Sequence, residues 1–234
     1  MTPGAPRAVL FDLDNTLVHR ARGIAAWAAR FGRDFGDRLQ AVDVDAIAAL
    51  AIEQDNGGYL PADAAHGSIQ QAVAAILASH LPWAGSIDAQ EIRRHWVEQL
   101  PGHSVEMPGA AAIVEWLARR GTRIAIVSNG AERTRAATVA SLAFRDRIAA
   151  TISSERAGAK KPDPAIFSFA AGALGVAPDD CWFVGDHPAN DIAGAQRAGM
   201  AAVWLQGFHR WDLDAPPRRA IASLDELAGL IDAA

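Results

Sequence analysis

The sequence predicts an α/β fold: a doubly wound parallel β-sheet carrying an inserted α-helical domain. Three observations point to it. Five short runs, 8–11 (AVLF), 123–128 (RIAIVS), 149–153 (AATIS), 181–185 (CWFVG) and 201–205 (AAVWL), are apolar on successive residues, which suits strands covered by helices on both faces. From the second run onward these strands alternate with amphipathic stretches of helical length. Between the first and second runs lie about 80 residues of helical pattern without a convincing strand, far more than a crossover connection needs.

The first strand, Ala8–Phe11, precedes an insert assigned to residues 18–102, leaving 1–17 and 103–234 as the core. Within the insert, helices are expected at 23–30, 44–54, 68–80 and 88–100, separated by DNGGYLP, SHLPWAGS and LPGHS. Alanine enrichment here is helix propensity rather than low complexity. In the core, helices are expected at 110–120, 132–142, 164–174 and 191–198, with Gly121, Gly175 and Gly199 as stop signals for three of them. Ser223 and Glu226 stand at capping-box spacing and open a last helix through Ile231.

Composition excludes several functions. Half of the 234 residues are hydrophobic, enough for a large core. The net charge of −5 is scattered, which argues against nucleic-acid binding, since that needs a basic surface. An anionic ligand would need local cations or a metal to attract it. The single cysteine, Cys181, can form no internal disulfide and reads as a buried, inert thiol. No stretch resembles a cleavable signal, and no apolar run approaches the roughly 20 residues of a membrane helix. A cytoplasmic protein without membrane or nucleic-acid partners is the expectation, monomer or homodimer.

Ligands of open parallel sheets bind outside the carboxyl ends of the strands. The residues just past each strand here are chemically loaded: Asp12 and Asp14 after the first, Ser128 and Asn129 after the second, Lys160 and Lys161 after the third, Asp186 and Asp191 after the fourth. Turn or capping duty would account for one acid of the first pair, but not for both. Alternation puts the two on the same face, where adjacent carboxylates repel unless a cation lies between them. Ser128 and Asn129 have the form of a helix cap, and amides at such a start also bind phosphate oxygens. Lys161 alone would read as a surface charge. Pro162 makes it extended, however, and Asp163 and Pro164 fix the helix start behind it. Asp191 is also explicable as favourable charge at a helix N-terminus.

This set suits phosphoryl chemistry. Mg²⁺ takes carboxylates, waters and substrate phosphate as ligands, and Asp12 and Asp186 are placed to supply the carboxylates. One aspartate can then attack phosphorus, while the other acid of the pair moves the proton. Ser128, main-chain amides and Lys161 would hold the phosphoryl oxygens. No G-x-x-x-x-G-K-[ST] motif is present.

DLDNT (12–16), SNG (128–130), KPDPAIF (161–167) and GDHPANDIAGAQRAGM (185–200) resemble the four motifs of the haloacid dehalogenase superfamily, in order and at the expected strand ends. The resemblance covers the whole core and is highly specific. It implies a Rossmann-like core with Asp12 as nucleophile and Asp14 as general acid/base. It further implies an Mg²⁺ site formed by Asp12, Asp186 and the main-chain carbonyl of Asp14, with Asp191 supporting it, and Ser128, Asn129 and Lys161 as phosphate-binding residues. The insert resembles the helical cap of type I members, which closes over the substrate.

The function so implied is a Mg²⁺-dependent hydrolase of a small phosphomonoester, acting through an aspartyl-phosphate. The haloacid dehalogenases that name the superfamily typically lack the second aspartate of the first motif, because displacing halide needs no leaving-group proton. Asp14 therefore favours phosphoryl chemistry. A 2-haloacid dehalogenase, a phosphomutase and a non-catalytic phosphometabolite-binding regulator are the alternatives. His187 stands where the family often has a small hydroxyl residue; local packing or contact with substrate or a metal-bound water are its two readings. Candidates for specificity are His19, Arg20 and Arg22 and, in the 55–63 loop, Asn56 and Tyr59, though each also reads as a surface or packing residue. His66, His103 and the seven tryptophans scatter without a pattern, the tryptophans reading mostly as core and cap-interface residues. FHRWD (208–212), after the fifth strand, lies near the same sheet edge with no physical reason evident from sequence.

Overall fold

The computed structural model describes residues 5–60 and 65–234, so positions 61–63 of the 55–63 loop lie outside the described residues. The chain forms two compact units: the residues up to Val18 with Glu106–Ala234, and His19–Val105.

The first unit is built on six strands, β1 (Ala8–Phe11), β2 (Arg123–Ser128), β3 (Ala150–Ser153), β4 (Cys181–Gly185), β5 (Ala201–Leu205) and β6 (Ala220–Ile221). All pair in parallel, in the order β3-β2-β1-β4-β5-β6. The sequence reading supplies the first five; two residues of β6 carry no detectable period. Central β1 sets Phe11 opposite Ile126 on one side and Val184 on the other, so the acids after β1 and β4 leave the sheet together.

Successive residues of these strands face opposite ways, and both faces are covered. Val9, Phe11, Ile126, Val184 and Val203 pack with Val114 and Leu117 of the helix Ala110–Arg119, Val139 of Glu132–Ala140 and Leu227 of Leu227–Asp232. Leu10, Val127, Ile152 and Phe183 pack with Ile166 and Phe167 of Pro164–Ala173 and Ala195 of Gly194–Arg197. Cys181 is buried and its pKa is pushed up to about 11 by burial, as an inert thiol requires.

The second unit is helical. Its helices span Arg20–Phe35, Val44–Asp55, Ile69–His80 and Ala89–Gln99, around a core of Trp27, Phe31, Ile47, Leu77 and Ile92. Among the described residues the α-helices are, in chain order, α1–α4 (20–35, 44–55, 69–80, 89–99), α5 and α6 (110–119, 132–140), α7 (154–157), α8 and α9 (164–173, 194–197) and α10 (227–232).

Three elements differ from expectation. Helix α1 runs past both ends of the expected 23–30 because Gly23 and Gly32 are buried contact points, not stops; a Cβ on Gly32 would meet Val42 at 3.0 Å. The helix expected to start at Asp191 starts instead with a π-helical turn, Pro188–Ala193, and only then becomes α9. His187 caps that turn, its Nδ1 accepting from Asn190 N, while the Asp191 side chain turns back toward the sheet. At the C-terminus Ser223 makes no side-chain cap; Glu226 Oε2 accepts from Ala222 N at 3.3 Å instead, and α10 is preceded by a 3₁₀ turn.

Candidate active site

Buried β1 carries Asp12 to the carboxyl edge of the sheet, and its ladder continues one step, Asp12 N donating to Val184 O at 2.9 Å. Leu13 is buried again. The chain then turns through Asn15 at φ 58°, a left-handed conformation that asparagine tolerates, and Asp14 sits within that turn. The two acids do not share one neutralising cation in the protein itself. Asp12 Oδ1 accepts from Lys161 Nζ at 2.6 Å, whereas Asp14 Oδ2 accepts from Arg135 Nη1 at 2.5 Å.

Lys161 is nearly inaccessible, at 3 % exposure, with its ammonium 5.6 Å from the Phe183 ring centroid. Asn129 fixes its main chain from both sides, accepting from Lys161 N at 2.8 Å and donating to Lys161 O at 3.0 Å. The Asn129 side chain is thus engaged with the main chain of Lys161. Lys161 Nζ also donates to Asp191 Oδ1 at 2.7 Å, while Asp191 Oδ2 accepts from His187 N at 3.0 Å. Gly185 makes this possible: a Cβ there would collide with the Asp191 carboxylate.

Electrostatically, the cluster is one cation short. Asp12, Asp186 and Asp191 are all buried, and each offers an oxygen within 4.8 Å of the others. Ionised together they carry three negative charges against the single charge of Lys161. Burial pushes Asp12 up to about 7, against the pull of Lys161. Burial, reinforced by Asp12 and Asp191, pushes Asp186 up to about 9. Burial disfavours the Lys161 ammonium, but Asp12 and Asp191 outweigh it and hold its pKa above the ordinary value. Asp186 is the least satisfied member: neither carboxylate oxygen has a hydrogen-bond partner beyond a glancing contact with its own N–H. Two buried carboxyl oxygens with no hydrogen bond from another residue, beside a second carboxyl group, form the donor set that a hard divalent cation takes, the cation displacing the proton. Both oxygens of Asp191 are already engaged, which places it behind the site.

Two side chains at this edge carried no sequence signal. Arg135 lies in α6, and its Nη1 stands 3.4 Å from Ser128 Oγ as well as on Asp14. Arg133 stands two residues before it on the same helix, and only the fold singles out Arg135. His209, from the unexplained FHRWD segment, brings Nε2 to 3.4 Å from Asp186 Oδ2. Its ring lies 4.6 Å from that of His187, and burial lowers the pKa of both imidazoles. The segment is anchored by Trp211, which packs on Trp204 at 5.0 Å. Trp204 in turn donates Nε1–H to Asp186 O at 2.8 Å.

The specificity candidates of the second unit have local duties there. His19 caps α1, its Nδ1 accepting from Arg22 N. Arg20 grips buried Asp55 through two bonds of 2.6 Å. Asn56 Nδ2 donates to Tyr59 O, and His103 Nδ1 is bonded to Gln99 O. His66 is exposed.

The model of the haloacid dehalogenase-like hydrolases matches residues 6–199. The chain is 30% identical to a phosphoglycolate phosphatase of Rhodospirillum rubrum, over 97% of this chain and 90% of that one. It is 33% identical to a phosphoserine phosphatase of Thermus thermophilus, over 51% and 49%. Its fold is similar to that of the HAD-hydrolase YfnB of Bacillus subtilis bound to magnesium, with a TM-score of 0.73 at 19% identity, covering 97% of this chain and 99% of that one. A match across the whole motif-bearing core, on a sheet that gathers all four motifs at one edge, makes this chain a member of the haloacid dehalogenase-like hydrolases.

Proposed function

We propose that the protein is a Mg²⁺-dependent phosphatase of a small phosphomonoester, with Asp12 as nucleophile and Asp14 as general acid and base. The observation that carries this reading is the buried cluster of three carboxylates around Lys161, short of positive charge and with neither Asp186 oxygen hydrogen-bonded by another residue. The phosphatase names of the relatives and the magnesium in the YfnB structure support it.

Asp12, Asp186 and the main-chain carbonyl of Asp14 would hold the metal. Bound there, Mg²⁺ supplies charge neutralisation and polarises a phosphoryl oxygen. The Asp12 carboxylate forms a bond to phosphorus as the bond to the ester oxygen breaks, and Asp14 gives that oxygen its proton. Asp14 then takes a proton from water. The water oxygen attacks phosphorus, the Asp12–phosphorus bond breaks, and inorganic phosphate and free Asp12 result. Lys161, the Ser128 hydroxyl and the main-chain N–H groups after β2 hold the phosphoryl oxygens. Asn129 acts mainly by holding Lys161 in place.

Hydrolysis of p-nitrophenyl phosphate and of a panel including phosphoglycolate and phosphoserine tests the proposal. Turnover with Mg²⁺ that is lost on chelation and in Asp12→Asn is expected; turnover surviving Asp12→Asn contradicts it.

A further inference from the structure

We propose that Arg135 is a second phosphoryl-binding cation, which exchanges Asp14 for a phosphoryl oxygen when substrate arrives. This rests on the phosphatase reading above. The guanidinium bridges two groups with different parts in that chemistry. Its Nη1 donates to Asp14 Oδ2 at 2.5 Å and lies 3.4 Å from Ser128 Oγ, the hydroxyl assigned to the phosphoryl group. A cation within hydrogen-bond reach of that hydroxyl is within a short movement of any oxygen bound to it.

The guanidinium is also incompletely satisfied. Its Nε is buried without a hydrogen-bond partner, although a buried, unpaired donor on a charged group is unfavourable. The backbone around it is shaped for it. Gly130 adopts φ 144°, and a Cβ there would stand 3.1 Å from Arg135 Nε. A side chain at the glycine of SNG would thus press on the guanidinium, and its φ disfavours any L residue there. A planar fork with one arm on Asp14 and an idle Nε–H suits a phosphoryl group, which can accept from two of its N–H groups at once.

The exchange has a consequence for catalysis. In the resting protein Arg135 is committed to the Asp14 carboxylate. A phosphoryl oxygen seated at Ser128 offers it an alternative partner; the Asp14 carboxylate is then released, takes up the proton of the monoanionic phosphomonoester and delivers it to the leaving oxygen. Arg135 therefore links phosphoryl binding to the freeing of the acid that completes the reaction.

Binding of inorganic phosphate, measured by calorimetry in the presence of Mg²⁺, is the test. Arg135→Ala is expected to weaken phosphate about 10- to 100-fold, the scale of one charge-assisted contact, and to raise the KM for p-nitrophenyl phosphate by a similar factor. Added guanidinium ion should restore part of both, which a merely structural loss would not allow. Arg135→Lys should fall between wild type and Ala; should the Ala variant fail to fold, Arg135→Gln takes its place. Phosphate affinity within twofold of wild type in the Ala or Gln variant overturns the proposal for Arg135 alone. A wild-type protein that neither binds phosphate nor turns over phosphomonoesters with Mg²⁺ overturns the phosphatase reading itself.

Discussion

Lys161 Nζ stands 2.6 Å from Asp12 Oδ1, both side chains almost wholly buried at the centre of the sheet's carboxyl edge. The pair joins a residue just past β1 to one 149 positions away, and it lowers the pKa of the proposed nucleophile against the larger opposing effect of burial. Removing one partner of such a pair leaves an uncompensated buried charge, at a cost of about 3–5 kcal/mol. Lys161→Met should therefore unfold at markedly lower denaturant in chelator, and Mg²⁺ should recover part of the loss by replacing the missing charge. Denaturant unfolding with and without Mg²⁺ measures both. Unchanged stability in the variant contradicts the arrangement.

Asp186 gives the sign of the pH dependence. Its pKa in the folded protein, about 9, lies above the ordinary 3.8. Between those values the folded chain retains a proton that the unfolded chain has released, so metal-free stability falls as pH rises through that window. Asp12, at about 7, acts in the same direction. Asp186→Asn should flatten the slope and, at pH 8 in chelator, be more stable than wild type by roughly 1–3 kcal/mol, since the folded chain no longer has to hold a proton that the unfolded chain releases. Mg²⁺ should stabilise the wild type and leave the variant unchanged. Thermal melts from pH 5 to 9 decide this; a variant less stable than wild type in chelator at pH 8 counts against it.

Asp14 should reveal its role through the leaving group. A proton donor is worth about 10²–10⁴ in rate where the departing oxygen is basic, and little where it is p-nitrophenolate. Asp14→Asn should lose that factor on an alkyl phosphate and much less on the first half-reaction with p-nitrophenyl phosphate, read as the burst in rapid-quench kinetics. Equal losses in the two would remove Asp14 as the acid.

Much of this was legible in the chain. Strands β1 to β5 reveal themselves because burial on both faces demands continuous apolar runs, and the acids, hydroxyl and lysine stand out because they interrupt such runs at their ends. Arg135 and His209 are different. Arg135 shares its helix with Arg133, and its link to Asp14 spans 121 positions. His209 reaches Asp186 only because Trp211 packs on Trp204, a contact that has no period. The π-helical turn at 188–193 was hidden for a related reason: Lys161 and His187 N pull the Asp191 carboxylate inward, and that tertiary demand overrides the helix start that local spacing predicts. Among the specificity candidates, Arg20 is bonded to Asp55 and Asn56 to Tyr59 O, contacts that sequence spacing alone does not reveal.

The most direct test of the central claim is to trap the covalent intermediate. The protein is mixed with p-nitrophenyl phosphate and Mg²⁺, quenched in acid within milliseconds, digested, and the peptides are weighed. The account predicts one phosphoryl group on the peptide containing Asp12, absent in Asp12→Asn and when Mg²⁺ is chelated. Phosphate release at the wild-type rate with no adduct on that peptide, or an adduct on another residue, would contradict it.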